Sequence, residues 1–213
     1  MFVTDRSDFD VFVIVRRPDD RWRFIYAAPV EMVQLLLEDF ESYGLPDGRD
    51  AWNRPAFLFA RVEVDRLDGA IEGIVERKRR LTPDETKRIA GESLDDYINT
   101  LYRSLRNLEA GRGLEGRLDA IESLSPLLTT AFALDGRVRP FNKWLRYDLD
   151  REPLTMDGVL ELVERIVRDP SSDAQRAVFR DIERHARSLG YGAAIDDWEP
   201  YVPWLRGEGS DRH

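Results

Sequence analysis

Apolar residues come in short dense runs over the first third of the chain and in a helical rhythm afterwards. Val11, Phe12, Val13, Ile14 and Val15 follow one another without a polar interruption, β-branched or aromatic throughout. Such a run predicts a strand buried on both faces. A turn at Pro18-Asp19-Asp20 separates it from Trp22-Arg23-Phe24-Ile25-Tyr26, which reads as a second strand. Pro29 suits a first helical position, and Val30, Val33, Leu36, Leu37 and Phe40 share one face of a helix over 29–43 that Gly44 would end. Residues 57–64, FLFARVEV, predict a third strand, followed by a turn at Leu67-Asp68-Gly69.

Beyond residue 80 the period lengthens to that of helices. Thr82-Pro83-Asp84-Glu85 is a capping box with Pro at the first helical position. Leu94, Ile98, Leu101, Leu105 and Leu108 stripe a helix over 92–109, and Leu118, Ile121, Leu124, Leu128 and Phe132 stripe another over 115–134, with a kink expected at Pro126. Shorter helices fit 141–149, 156–168 and 172–189, the last opening on the capping pattern Ser172-x-x-Gln175. Gly190 and Gly192 stop it, and Trp198, Tyr201 and Trp204 predict a packed C-terminal segment. The fold class expected is therefore α+β: a small mixed β-sheet unit over 1–80, an antiparallel helical bundle over 81–206 and a disordered tail over 207–213. The basic run Arg77-Lys78-Arg79-Arg80 at the join reads as a solvated face or linker.

Composition narrows the chemistry. The 213 residues include no Cys, which removes disulfides, thiolate metal sites and Cys nucleophiles. The net charge of −9 disfavours broad nucleic-acid binding, while leaving room for a small basic pocket. The start MFVTDRSD lacks the pattern of a signal peptide and no apolar run reaches membrane-spanning length, so a cytoplasmic location with no membrane contact is expected. His185 has no second ligand near it in sequence and His213 is terminal, so neither a zinc site nor a His-based triad is expected.

The candidate chemistry sits at the mouth of the first strand. Asp8 and Asp10 are two apart, so on a strand they point to one side. Adjacent carboxylates repel, and a divalent cation relieves that repulsion; Mg²⁺ prefers carboxylate oxygens together with substrate phosphates. The alternative is a strand that simply begins at the surface.

"SDFDVFVIV" resembles the metal-binding strand of the polymerase-β-type nucleotidyltransferases. Taken with "ARVEVDRLDGAI", "LDDYINTLYRSLRN", "LDAIESLSPLL", "FALDGRVRPFNKWL" and "RDIERHARSLGYG", it is similar to small bacterial members of the aminoglycoside-adenylyltransferase type, over nearly the whole chain. The resemblance implies Mg²⁺-dependent transfer of an NMP group from an NTP, ATP above all, to a hydroxyl of a small-molecule acceptor. Asp8 and Asp10 would be the metal ligands and Ser7 would lie beside the phosphates. A third carboxylate would stand on a neighbouring strand, just before a helix. Glu63 and Asp65 are the available acids, although Asp65 in "VDRLDG" also reads as a structural turn residue. The family's Gly-Ser motif, which precedes the aspartate strand, has no counterpart in residues 1–7. The resemblance thus leaves a second expectation: a degenerate member that binds nucleotide or protein without turnover, unless the start codon is misplaced.

In this family the helical domain supplies cations and stacking groups. Asn99, Tyr102, Arg103 and Arg106 share a helix face on which an aromatic ring beside Arg could hold a base or phosphate. Glu122, Ser125 and Thr129 stripe the next helix, with Glu122 either a general base or an ordinary bundle residue. Arg139-Pro140-Phe141-Asn142-Lys143 leads into a helix, so Lys143 and Arg139, with Asn142 between them, are expected at the triphosphate, or are solvated charges at a helix start. Asp95, Asp96, Glu122, Asp148 and Asp150 would draw a cationic acceptor, or reflect only the acidic composition. A homodimer covering the apolar sheet surface is left open.

Overall fold

The computed structural model describes residues 8–22, 24–27 and 29–209. The chain divides into two compact units, residues 1–79 and 80–213. Among the described residues no helix is long and apolar enough to cross a membrane.

The first unit holds a three-stranded mixed sheet in the order β1-β3-β2, with β1 Phe9–Val15, β2 Phe24–Ala27 and β3 Val30–Leu36. β3 pairs parallel with β1 and antiparallel with β2. The helix expected over 29–43 is thus a strand followed by the short α1, Leu37–Ser42. Val30-Glu31-Met32-Val33-Gln34-Leu35-Leu36 satisfies both periods, and pairing on both edges selects the extended one. β1 is an edge strand with one covered face, not a strand buried on both faces. Phe12 and Ile14 pack with Val33 and Leu35 on a core of Phe40, Tyr43, Phe57, Ile74 and Val75. On the other face Phe9 and Val11 are exposed.

The strand expected over 57–64 is absent as well. Residues Ala51–Phe59 form a 3-10 helix that drives Phe57 into the core beside Phe12, Phe40 and Tyr43. α2, Ala70–Arg79, closes the unit. The basic run at its end is a solvated face only in part: Arg77 and Arg80 are exposed, whereas Lys78 has no exposed surface and Arg79 donates to the carbonyls of Phe57 and Ala60.

The second unit is helical. The capping box at Thr82 forms as expected, with Glu85 N–H donating to Thr82 Oγ1 and Thr82 N–H donating to the Glu85 carboxylate. The helix it opens, α3, runs unbroken from Pro83 to Glu109 and absorbs the one expected to start at 92. Leu94, Ile98, Leu101 and Leu105 are buried along it. The single helix expected over 115–134 is two, α4 Gly113–Glu122 and α5 Leu124–Leu134. The break falls at Ser123, which leaves Pro126 in the first turn of α5, where a missing N–H costs nothing. Consequently Leu118 and Ile121 leave the bundle core and stand exposed, while Leu128 and Phe132 stay in it. α6 Leu145–Arg151, α7 Val159–Arg168 and α8 Ser172–Ser188 follow. The cap of α8 is Ser171, one residue before the pattern predicted, accepting from Ala174 N–H. Gly190 ends the segment in a left-handed conformation, whereas Gly192 starts α9, Gly192–Asp196. α10, Val202–Arg206, seats Val202, Trp204 and Leu205 in the core. Residues 210–213 of the expected disordered tail lie outside the described residues.

Candidate functional site

The acids of the first unit are arranged by strand register. Pairing of β1 with β3 sets Asp10 opposite Glu31, and pairing of β3 with β2 sets Glu31 opposite Tyr26. Directly paired residues share a sheet face, so Asp10, Glu31 and Tyr26 form one row. Phe12 and Val33, one pleat further along, carry the same face into the core. Continuing the alternation, Asp8 falls on the side of Asp10. Asp8 and Asp10 are exposed and Glu31 is half-buried. Like charges directly opposite each other on neighbouring strands repel, and a hard cation with open coordination positions would relieve that row.

Glu31 is the residue that sequence reasoning missed. It hid inside the segment read as a helix; the alternation Glu31, Val33, Leu35 was the available signal. The two acids nominated instead are differently employed. Asp65 accepts backbone N–H bonds from Leu67 at 2.7 Å, Ile71 at 2.9 Å and Glu72 at 3.2 Å, anchoring the start of α2. Those bonds, the one from Leu67 foremost, hold its carboxyl below the usual range. Asp65 is thus a helix anchor, with both oxygens taken. Glu63 is exposed beside Arg61. Ser7 lies outside the described residues. Among the described residues, no group of three or more His, Asp or Glu side chains is placed to hold a metal ion. Mg²⁺ asks for less, one or two carboxylates plus substrate phosphates, and the directly paired Asp10 and Glu31 fit that demand.

In the second unit the residues nominated from sequence form two separate groups. The first is Arg139 with Asn142. The Arg139 guanidinium donates to Ser125 O at 3.0 Å, Ser125 Oγ at 2.8 Å and Asn142 Oδ1 at 2.7 Å, and touches Thr129 Oγ1 at 3.5 Å. All are neutral acceptors; among the described residues no carboxylate pairs with it. Burial lowers its pKa from the ordinary arginine value. A fixed, half-buried guanidinium without a counter-ion is suited to an incoming anion. Lys143 is exposed nearby in sequence, its ammonium 4.7 Å from the centre of the Trp144 ring.

The second group is internally paired. Arg103 donates to Asp119 at 2.9 Å and to Glu122 at 3.1 Å. Tyr102 packs edge-on against Tyr201 at 5.1 Å and Trp204 at 5.6 Å, and tilts against Trp198 at 6.0 Å. Its ring is a packing element of the C-terminal segment.

The acids expected to draw a cationic acceptor divide in the same way. Asp95 accepts from the Trp198 indole at 2.8 Å. Asp148 is paired with the buried Arg137, and burial pushes its carboxyl up despite that guanidinium. His185 meets Thr155 Oγ1 at 3.3 Å, and Thr155 in turn bonds Asp135. No family model, no curated protein and no solved structure matches the chain.

Proposed function

We propose that the chain is a Mg²⁺-dependent nucleotidyltransferase that moves an NMP group from an NTP to a hydroxyl of a small-molecule acceptor. The observation that carries this reading is the register of Asp10 against Glu31. It sets Glu31, on the strand that runs into α1, directly opposite Asp10. Bound there, Mg²⁺ would neutralise phosphate charge and help align the attacking oxygen. The residues' own parts follow from their chemistry. One or two of Asp8, Asp10 and Glu31 would hold the ion together with phosphate oxygens of the NTP. Within the second unit taken by itself, Arg139, carried by Ser125 and Asn142, has a planar fork suited to an anionic oxygen, and Lys143 is an exposed point charge near it in sequence.

One observation favours a second reading, a nucleotide-binding protein without turnover. Glu122, the nominated base, is engaged by Arg103 at 3.1 Å, so one of its oxygens already has a partner within the helical unit.

Thermal unfolding with ATP, with and without Mg²⁺, tests the binding step common to both readings. A ligand that binds the native state raises the melting temperature. A Mg²⁺-dependent rise is expected in the wild type and is expected to vanish in Asp10→Asn and in Glu31→Gln. No rise with any of the four common NTPs, or a rise that both variants keep, overturns the assignment. Pyrophosphate release then separates the transferase from the silent binder.

A further inference from the structure

α4 is built inside-out. The face it turns to the bundle carries small residues: Gly116 and Ala120 are buried, and Ser123 at its end is buried too. Ser104 Oγ on α3 donates to Gly116 O at 2.6 Å, and a Cβ on Gly116 would sit 2.6 Å from Leu108 Cγ. The seam is thus too close for anything larger than glycine there. The large apolar residues point the other way. Leu114 is 64% exposed, Leu118 56% and Ile121 46%. Their spacing of four and then three residues is the d-a-d pattern of a coiled-coil seam.

The charges beside this stripe are of opposite sign on its two flanks. With Leu114, Leu118 and Ile121 at d, a and d, Arg117 takes a g position and Glu115 and Glu122 take e positions. Arg117 forms no ion pair among the described residues. Glu122 uses one oxygen on Arg103 and leaves the other free. In an antiparallel pair of such helices, like flanks meet, Arg against Arg and Glu against Glu. In a parallel pair, each g residue meets the e residue five positions on in its partner. That pairing sets Arg117 of one copy against Glu122 of the other.

We propose that the exposed face of α4 is a homodimer interface, in which two copies pack α4 against α4 in parallel about a two-fold axis. Leu114, Leu118 and Ile121 each meet their own symmetry mate, and Arg117 pairs with Glu122 across the interface on both sides.

The absence of Cys from the chain makes orientation directly readable. Sedimentation velocity of the full chain at about 50 µM, a concentration at which modest homodimers populate, is expected to show a dimer. Leu118→Asp should yield monomers with an unchanged helical circular dichroism spectrum, because the side chain is exposed in the single copy. Leu114→Cys and Ile121→Cys should each form a disulfide-linked dimer under mild oxidation, as parallel pairing requires. An antiparallel pair would cross-link neither variant to itself. A monomeric wild type, a dimer that survives Leu118→Asp, or failure of both cysteine variants to cross-link would each overturn the proposal. The Mg²⁺-dependent response to ATP is read in a separate experiment, so the two proposals stand or fall independently.

Discussion

Lys78 shows what one residue can do to a small unit. Its stem is buried and its ammonium donates to the carbonyls of Phe40 and Tyr43, each at 2.5 Å, with Glu41 O at 3.4 Å. These are carbonyls at the end of α1, which a helix terminus leaves without partners. The rings of Phe40 and Phe57 lie 4.7 and 4.9 Å from the nitrogen, adding cation–π attraction. Burial, aided by Arg77 and Arg54, nevertheless pushes the pKa of Lys78 down to about 8 from 10.5. The sign of the pH effect follows. Between these two values the unfolded chain holds the proton and the folded chain does not, so stability rises with pH. Neutral Lys78 keeps two N–H donors, enough for the two short bonds. Lys78→Met should cost about 2 kcal/mol at pH 7, since it strands buried carbonyls. The difference between wild type and variant should then widen above pH 8, by at most about 1.4 kcal/mol per pH unit. Urea unfolding at pH 7, 8.5 and 10 reads both. A difference that stays flat or shrinks would show that the lysine remains charged in its cage.

At the scale of elements, the α3–α4 seam gives a second test. Gly116→Ala adds a Cβ 2.6 Å from Leu108 Cγ and 3.0 Å from the backbone oxygen of Ser104. Leu108 can yield, but the backbone cannot. Overpacking of this kind costs about 1–3 kcal/mol, against about 1 kcal/mol gained in helix propensity. A net loss of about 1 kcal/mol is expected in urea unfolding of the helical unit; a net gain would mean the seam is looser than 3 Å. The same elements show which signals were legible in the sequence. The capping box at Thr82 and the Leu94–Leu105 stripe were, because local hydrogen bonds and one continuous apolar face determine them. β3 was not: Val30, Val33, Leu37 and Phe40 match a helix as well as Val33 and Leu35 match a strand, and only pairing with β1 and β2 decides. Glu31 was lost with β3, so the candidate metal row was only two-thirds visible. The break at Ser123 was equally hidden, since Leu118 and Ile121 continue the stripe of α5 in sequence while leaving it in space. Arg139 was legible as a charge beside a proline, but its cradle of Ser125, Thr129 and Asn142 required the fold.

At the scale of the whole molecule, the two cores are unequal and share no residue. Among the described residues, the first unit encloses six buried apolar residues, from Leu35 to Val75. The second encloses 27, from Ala90 to Leu205, with an aromatic and ion-paired edge in which Arg206 and Arg187 both grip Glu183. Burial on its own would raise the Glu183 pKa, but the hydrogen bonds of the two guanidinium groups together bring it below the ordinary value. A core of six side chains among the described residues of this unit is thin, because small units bury a small share of their surface. Units with separate cores unfold as separate cooperative steps when neither core depends on the other's residues. Calorimetry of the full chain is therefore expected to show two transitions, the lower one belonging to the sheet unit. Lys78→Met should lower that first transition and leave the second in place, while Gly116→Ala should do the reverse. Far-UV circular dichroism assigns them independently, since most of the helical signal must survive the first and disappear in the second. A single transition moved by both substitutions would mean that the two cores fold as one.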